Sequence, residues 1–229
     1  MSFNQPQQPI APFQLLGDSL SQVAPVYVPL LIIASPALLM NIAQNVLPIG
    51  ISSALTIGYS VGVLPILTGI SVYFIYRYLK QGTVDLSGAA NRSLSQSGQL
   101  ILGHILYSLA IILGFICLIL PGIYLSVRWG FVLYAIVSQN CSAIDGFKYS
   151  SELVKGRWWP VFGSMLAVVP VLLPVFFIIG IIGATFASQP LIIAIISSII
   201  GLLVAPPIGM YYVKLYMRLQ ETANVPDLV

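Results

Sequence analysis

The sequence predicts an all-α polytopic membrane helix bundle, about six transmembrane helices arranged as three hairpins, each preceded by a short amphipathic interfacial helix. Three observations carry that prediction. Only 7% of the 229 residues are charged while 58% are hydrophobic, against about a quarter charged in a soluble domain. Residues 19–76, 93–127 and 158–213 contain no Asp, Glu, Lys or Arg. About 20 apolar residues cross a bilayer core, so the first and last of these runs each fit a pair of crossings. Finally, the basic residues return at every second span end.

Residues 1–12, rich in Gln and Pro and without periodicity, read as a disordered tail ahead of a single transmembrane domain over 13–220. A first amphipathic segment, 13–23, spaces Phe13, Leu16, Leu20 and Val23 as a helix does. The first span covers about 25–44, and residues 46–56, with Pro48 and Gly50, form an uncharged turn region. The second span, 57–78, ends in Tyr73, Tyr76, Arg77, Tyr78 and Lys80, an aromatic and basic interface anchor. A second interfacial helix at 85–97 leads into span three, 99–120, which breaks at Pro121-Gly122 before span four, 123–139. The third interfacial helix spans 143–155. Span five, 158–186, is broken or bent by Pro170 and Pro174; span six, 190–216, carries Pro206-Pro207, and 221–229 form a C-terminal tail. Prolines this frequent are tolerated in a bilayer where neighbouring groups satisfy the freed carbonyls.

Orientation follows from the basic residues. Arg77, Lys80 and Arg92 follow span two, Lys148, Lys155 and Arg157 span four, Lys214 and Arg218 span six. The opposite connections, 46–56, 121–122 and 187–189, carry no charge. Eight basic residues against none place both termini on the cytoplasmic side. The expected location is the cytoplasmic (plasma) membrane. The first 20 residues hold no Lys or Arg and no apolar signal core, so no cleaved signal peptide is expected.

Ser19-Leu20-Ser21-Gln22 recurs as Ser93-Leu94-Ser95-Gln96, and Ser151-Glu152-Leu153-Val154 occupies the matching place a third time. A shift of 58 residues also superposes Gly88 on Gly146 and Gly98 on Gly156. The pattern predicts three copies of one unit: a surface helix, a span out and a span back. In the third copy, Ser142 and Asp145 form a capping box and Gly156 stands where a C′ glycine stops a helix. Ile144, Phe147, Ser151, Val154 and Trp158 line one face; Asp145, Lys148, Glu152 and Lys155 line the other. Such a helix is expected to lie in the headgroup plane with its apolar face down. Its basic residues Lys148, Lys155 and Arg157 read either as topological stabilisers or as a lipid-headgroup or partner contact.

The run Leu120-Pro121-Gly122-Ile123-Tyr124-Leu125-Ser126-Val127-Arg128-Trp129 and the later Ser150-Ser151-Glu152-Leu153-Val154-Lys155-Gly156-Arg157-Trp158 carry a resemblance. Together they resemble the bacterial six-span proteins that include the membrane domain found ahead of some glycerophosphoryl diester phosphodiesterases, and the YciC-like uncharacterised membrane proteins. The likeness is most specific over about 85–165. It implies an integral, lipid- or envelope-associated protein. The chain stops at Val229, soon after span six, so the phosphodiesterase activity of some relatives is not expected to carry over.

A search for chemistry finds little. His104, the only histidine, lies inside span three with no ligand-type residue at metal spacing. It is expected to serve in polar packing across helices, with proton relay as the alternative. Arg128 falls about five residues past Pro121-Gly122, which at 1.5 Å per residue puts its backbone roughly 7–10 Å inside the outer edge of span four. There it is expected to snorkel to outer headgroups, or to donate to carbonyls freed by Pro121 or Pro206-Pro207; an intramembrane charge also invites a functional reading. Asp145 and Glu152 have basic neighbours at helical spacing, whereas Asp85 and Glu221 are assigned none. Gly58-x-x-x-Gly62 permits close helix packing. Cys117 and Cys141 lie near opposite ends of a hairpin, beyond disulfide reach. No catalytic residues, cofactor or metal are expected. Nothing resembles a nucleic-acid patch; the expected partners are membrane lipids, with protein partners and oligomeric state, a homo-oligomer included, left open. The leading functional expectation is a non-enzymatic accessory or scaffold linked to lipids or envelope assembly. The alternative is a small-molecule or lipid transporter or channel.

Overall fold

The structure, a computed structural model, describes residues 11–223 as helices joined by short breaks. Most of the expected N-terminal tail, and the C-terminal residues beyond Ala223, lie outside the described residues. In order these are α1 (Pro12–Gln22), α2 (Ala24–Val46), α3 (Ile49–Gly58), a π-helical segment (Tyr59–Val63), α4 (Leu64–Gln81), α5 (Leu86–Ser95) and α6 (Ser97–Cys117). There follow α7 (Ile119–Arg128), α8 (Val132–Gln139), α9 (Ala143–Val154), α10 (Trp158–Leu166), α11 (Val169–Thr185) and α12 (Pro190–Ala223). Six helical stretches are long and apolar enough to cross a membrane: α2, α3 to α4, α6, α7 to α8, α10 to α11, and α12. Only 11% of the most apolar window of the last two is buried within the protein. Apolar side chains that the protein leaves uncovered on that scale need hydrocarbon as their solvent. The chain is therefore a multi-pass helical membrane protein.

Several expected boundaries move, each for a physical reason. The turn region expected at 46–56 shrinks to Leu47 and Pro48, because Pro48 sits just outside α3 in extended conformation, where its missing N–H is not needed. The break expected at Pro121-Gly122 falls instead at Leu118, which is extended, and both residues lie inside α7. Gly122 is there because α6 and α7 nearly touch: a Cβ on Gly114 would stand 2.9 Å from the Gly122 Cα. Span four is two helices separated at residues 129–131. Span five divides at Ala167 and Val168, so that Pro170 opens α11 within its first turn, while Pro174 stays inside the helix. α12 runs seven residues past the expected end of span six at residue 216, to Ala223.

The three interfacial helices form close to their expected places, but their inward faces differ from the expected ones. In α1, Leu15, Ser19 and Val23 are buried, while Phe13 and Leu20 are exposed. In α9, Ala143, Gly146, Ser150 and Leu153 turn inward and Ile144 is 61% exposed. In α5 the buried residues are Ala89 and Ser93, with Leu94 outward. The faces packed against protein mix small residues with Leu15, Tyr149, Leu153 and the expected Val154, while Phe13, Leu20, Leu94 and Ile144 stay exposed. α1 rests on α12, α5 on α4 and α9 on α8. Each surface helix therefore lies on a returning span, and α12 with α1 closes the circuit.

The protein's own core sits among these surface helices and the span ends. Phe74, Ile75, Phe131, Leu153, Tyr211, Tyr216 and Leu219 are essentially fully buried there. The Tyr216 ring lies 5.6 Å from Tyr134 and 5.9 Å from Phe131, and its hydroxyl is hydrogen-bonded with Ser138 at 2.8 Å.

Candidate anion-binding notch

The capping box forms: the Asp145 backbone N–H donates to Ser142 Oγ at 3.2 Å, and Gly156 takes the left-handed φ of +74° that ends the helix. Lys148 pairs with Asp145 and Lys155 with Glu152, both at 3.1 Å and both i,i+3. Ser142 and then Lys148 hold the exposed Asp145 carboxyl below the ordinary carboxylate range. Two acids assigned no partner do have one. Asp85 pairs with Arg77 at 2.9 Å, eight residues upstream across the α4–α5 turn, and Glu221 with Arg218 at 3.4 Å.

Arg128 makes no bond to the carbonyls freed by Pro121 or Pro206-Pro207, two of the acceptors the sequence offered it. It ends α7 and turns onto α9: Nε donates to Ser151 Oγ at 3.3 Å and Nη1 to the Tyr124 hydroxyl at 3.2 Å. The neighbouring Ser150 explains why the span breaks here. Its hydroxyl donates to the Arg128 carbonyl at 2.9 Å and accepts from the Phe131 N–H at 3.2 Å, so backbone groups freed by the break are satisfied. Ser151 also accepts from Trp129 Nε1 at 3.0 Å and donates to the Phe147 carbonyl. The spacing singled out Ser151 as part of a repeat and of the apolar face of α9, with no polar role, and missed Ser150. The signal available was a pair of hydroxyls on an amphipathic helix opposite an uncompensated arginine.

Arg128, Lys155, Ser151, Glu152, Tyr124 and Trp158 line a polar notch of about 240 Å³. Tyr124 stacks on Trp158 at 6.0 Å, and Trp159 beside it is 74% exposed, an amphipathic ring of the kind that sits at headgroup level. Arg157 points away from the notch. It donates to the Leu153 carbonyl at 2.9 Å and to Thr222 and Leu219 of α12, fastening the end of α9 to the last helix. Burial lowers its pKa, but a guanidinium remains protonated. Of the residues singled out by sequence, then, Arg128 and Lys155 come together. Arg157 is a structural tie, and Lys148 lies apart toward the start of α9.

His104 is half-buried in α6 and has no hydrogen-bond partner among the described residues, so the expected cross-helix bond is not made. Gly58 and Gly62 face open space rather than a neighbouring helix, which the expectation of close packing did not foresee. Gly58 precedes the π-helical segment and Gly62 lies within it, and the hydroxyl of its Tyr59 is enclosed without a partner among the described residues. Tyr59 lines a mainly apolar cavity of about 250 Å³ with Ile33, Ala37, Thr68, Tyr134 and Gly209. No group of three or more His, Cys, Asp or Glu among the described residues could hold a metal ion. Both cysteines are free.

Comparison of the chain with protein-family models, with curated proteins and with solved structures finds no match.

Proposed function

We propose that this chain is a non-enzymatic accessory or scaffold protein of the bacterial cytoplasmic membrane, which holds phosphate-bearing lipid headgroups at its cytoplasmic face. The observation that carries the reading is the notch where Arg128 and Lys155 converge beside the Tyr124–Trp158 stack. Arginine and lysine donate charge-assisted hydrogen bonds to phosphate oxygens, and the aromatic residues suit the headgroup boundary. The same reading puts Lys148, Lys155, Arg157 and both termini in the cytoplasm, by the excess of basic residues on one set of connections. It also keeps the likeness to the six-span membrane domain of the phosphodiesterases and the YciC-like proteins as a statement about lipid association, without catalysis.

The test is the lipid complement retained by the purified protein, read by native mass spectrometry. Anionic lipids remain bound to the wild type; Arg128→Gln with Lys155→Gln loses them, and Lys148→Gln does not. An unchanged complement in the double variant removes the reading. Orientation is checked in a cysteine-free background: a thiol replacing Ser53 reacts with an impermeant reagent outside intact cells, and one replacing Lys148 does not.

A second reading, a transporter or channel, is favoured by one observation, the cavity that the unpartnered Tyr59 hydroxyl lines on a π-helical segment. Such segments recur at functional sites. Substrate flux in liposomes that falls on Tyr59→Phe would support it, and flux indifferent to Tyr59 would remove it.

A further inference from the structure

A second recess, formed by α4, α5 and the end of α8, is more basic than the Arg128 notch. Tyr73, Tyr76, Arg77 and Lys80 follow i, i+3, i+4, i+7 spacing and so share one face of α4. That face, with Arg92 of α5 and with Ser138 and Gln139 of α8, encloses about 300 Å³. Three cations line it, and no carboxylate does among the described residues. Asp85 stands behind, not within: Oδ2 accepts from Arg77 Nη1 at 2.9 Å and Oδ1 from the Gly88 N–H at 2.8 Å, where it caps α5.

The arrangement concentrates like charge. The Arg77 and Arg92 guanidiniums stand over the same Tyr73 ring, at 6.0 and 5.7 Å from its centroid, and the Lys80 ammonium lies 4.8 Å from the centre of Tyr76. Arg77 is held by Gln81 and Asp85. Arg92 spends only Nε, on the Val137 carbonyl at 3.3 Å, so its outer Nη1 and Nη2 have no protein acceptor among the described residues. Clustered cations repel, and a guanidinium edge left open beside two others matches a tetrahedral oxyanion able to accept from all of them.

We infer that the recess between Arg77, Lys80 and Arg92 is a binding site for a phosphomonoester-type anion. Its volume, at the lower end of small-molecule sites, leaves room for the group that carries the phosphate. The source is either a lipid headgroup or a soluble phosphate, and the site is independent of the Arg128 notch.

The full-length protein is reconstituted in nanodiscs of phosphatidylcholine with or without phosphatidic acid, and separately titrated in detergent with inorganic phosphate by calorimetry. Preferential retention of phosphatidic acid identifies a lipid source; binding of inorganic phosphate alone identifies a soluble one. In either arm Arg92→Gln weakens binding at least about tenfold, the scale of a lost charge-assisted contact. Lys148→Gln, on the exposed face of α9 and outside both recesses, leaves it unchanged. Because Arg92 also ties α5 to α8, melting is measured in parallel, and Lys80→Gln on the exposed rim decides if Arg92→Gln melts early; it too weakens binding. No binding in either arm, or wild-type binding by both the Arg92 and Lys80 variants, overturns the inference.

Discussion

The half of the molecule that holds the surface helices and the half that holds the hairpin tips are built on different physics. Around α5, α8, α9 and the end of α12, side chains are buried in protein and long-range hydrogen bonds join separate elements: Ser138 with Tyr216, Gln220 to Tyr149, Arg92 to Val137. Toward the tips, Ile49, Ile116, Leu120 and Phe177 are more than two-thirds exposed, and side-chain hydroxyls such as those of Ser53 and Thr185 bond only to carbonyls of their own helix. In the first half packing excludes lipid; in the second, lipid does the packing. Stability should therefore be unevenly distributed.

The largest expected break of this contrast is Tyr216→Ala, which empties the centre of the aromatic cluster and strands Ser138. It should cost roughly 3–5 kcal/mol, as large core truncations do, in reversible unfolding in mixed micelles. Phe177→Ala at a tip should change stability by less than about 0.5 kcal/mol. Next come the glycines. Gly114→Val drives a side chain into the Gly122 backbone, and overpacking of this kind costs about 1–3 kcal/mol. Gly180→Ala meets nothing within 4 Å and should stabilise α11 by up to about 1 kcal/mol, read as a raised Tm.

Smaller is Arg128→Leu. It takes the donor from Tyr124 and one of two from Ser151, which keeps Trp129 Nε1, while Ser150 still holds the break, so insertion survives and stability falls by about 0.5–1.5 kcal/mol. A variant with wild-type melting and wild-type lipid retention would strip Arg128 of any special role. The smallest effect is electrostatic. Asp145 has its carboxyl pKa depressed in the folded state, so its contribution is present above the ordinary carboxylate range and is lost as pH falls through the depressed value. The Tm difference between wild type and Asp145→Asn should be constant near neutrality and shrink below about pH 4. Cys141 offers a chemical check on burial in the packed half. With its thiol pushed up to about 11 by burial, and secondarily by Asp145, it should alkylate slowly at pH 8 in a Cys117→Ser background.

Much of the fold was legible from the residues alone. Six spans, three interfacial helices, the Ser142 cap and the Gly156 stop depend on local quantities: length of uncharged chain, helical spacing, a hydroxyl three residues before an acid. Each is decided by a residue's free energy in water against hydrocarbon, or by its own backbone. The inward faces of α1 and α9 were not legible, because two apolar surroundings compete for an amphipathic helix. Hydrophobicity ranks Phe13 and Ile144 above Ser19 and Gly146, yet Ser19 and Gly146 are buried against protein and Phe13 and Ile144 are not. The recess of Arg77, Lys80 and Arg92 was hidden for a related reason: its cations were read as span-end anchors, and only the crossing of α5 over α4 aims Arg92 at the other two.

What the sequence by itself determined is the solvent of each segment, since charge and apolar length act residue by residue and need no partner. What only the tertiary structure decided is which polar groups meet. Ser150 and Ser151 across the break at residues 129–131, Asp85 reaching back to Arg77, and Arg128 turned onto α9 are all pairings between segments that local spacing does not encode. Inside a membrane protein both candidate faces of a helix are apolar, so shape and hydrogen-bond satisfaction, rather than hydrophobicity, choose between them.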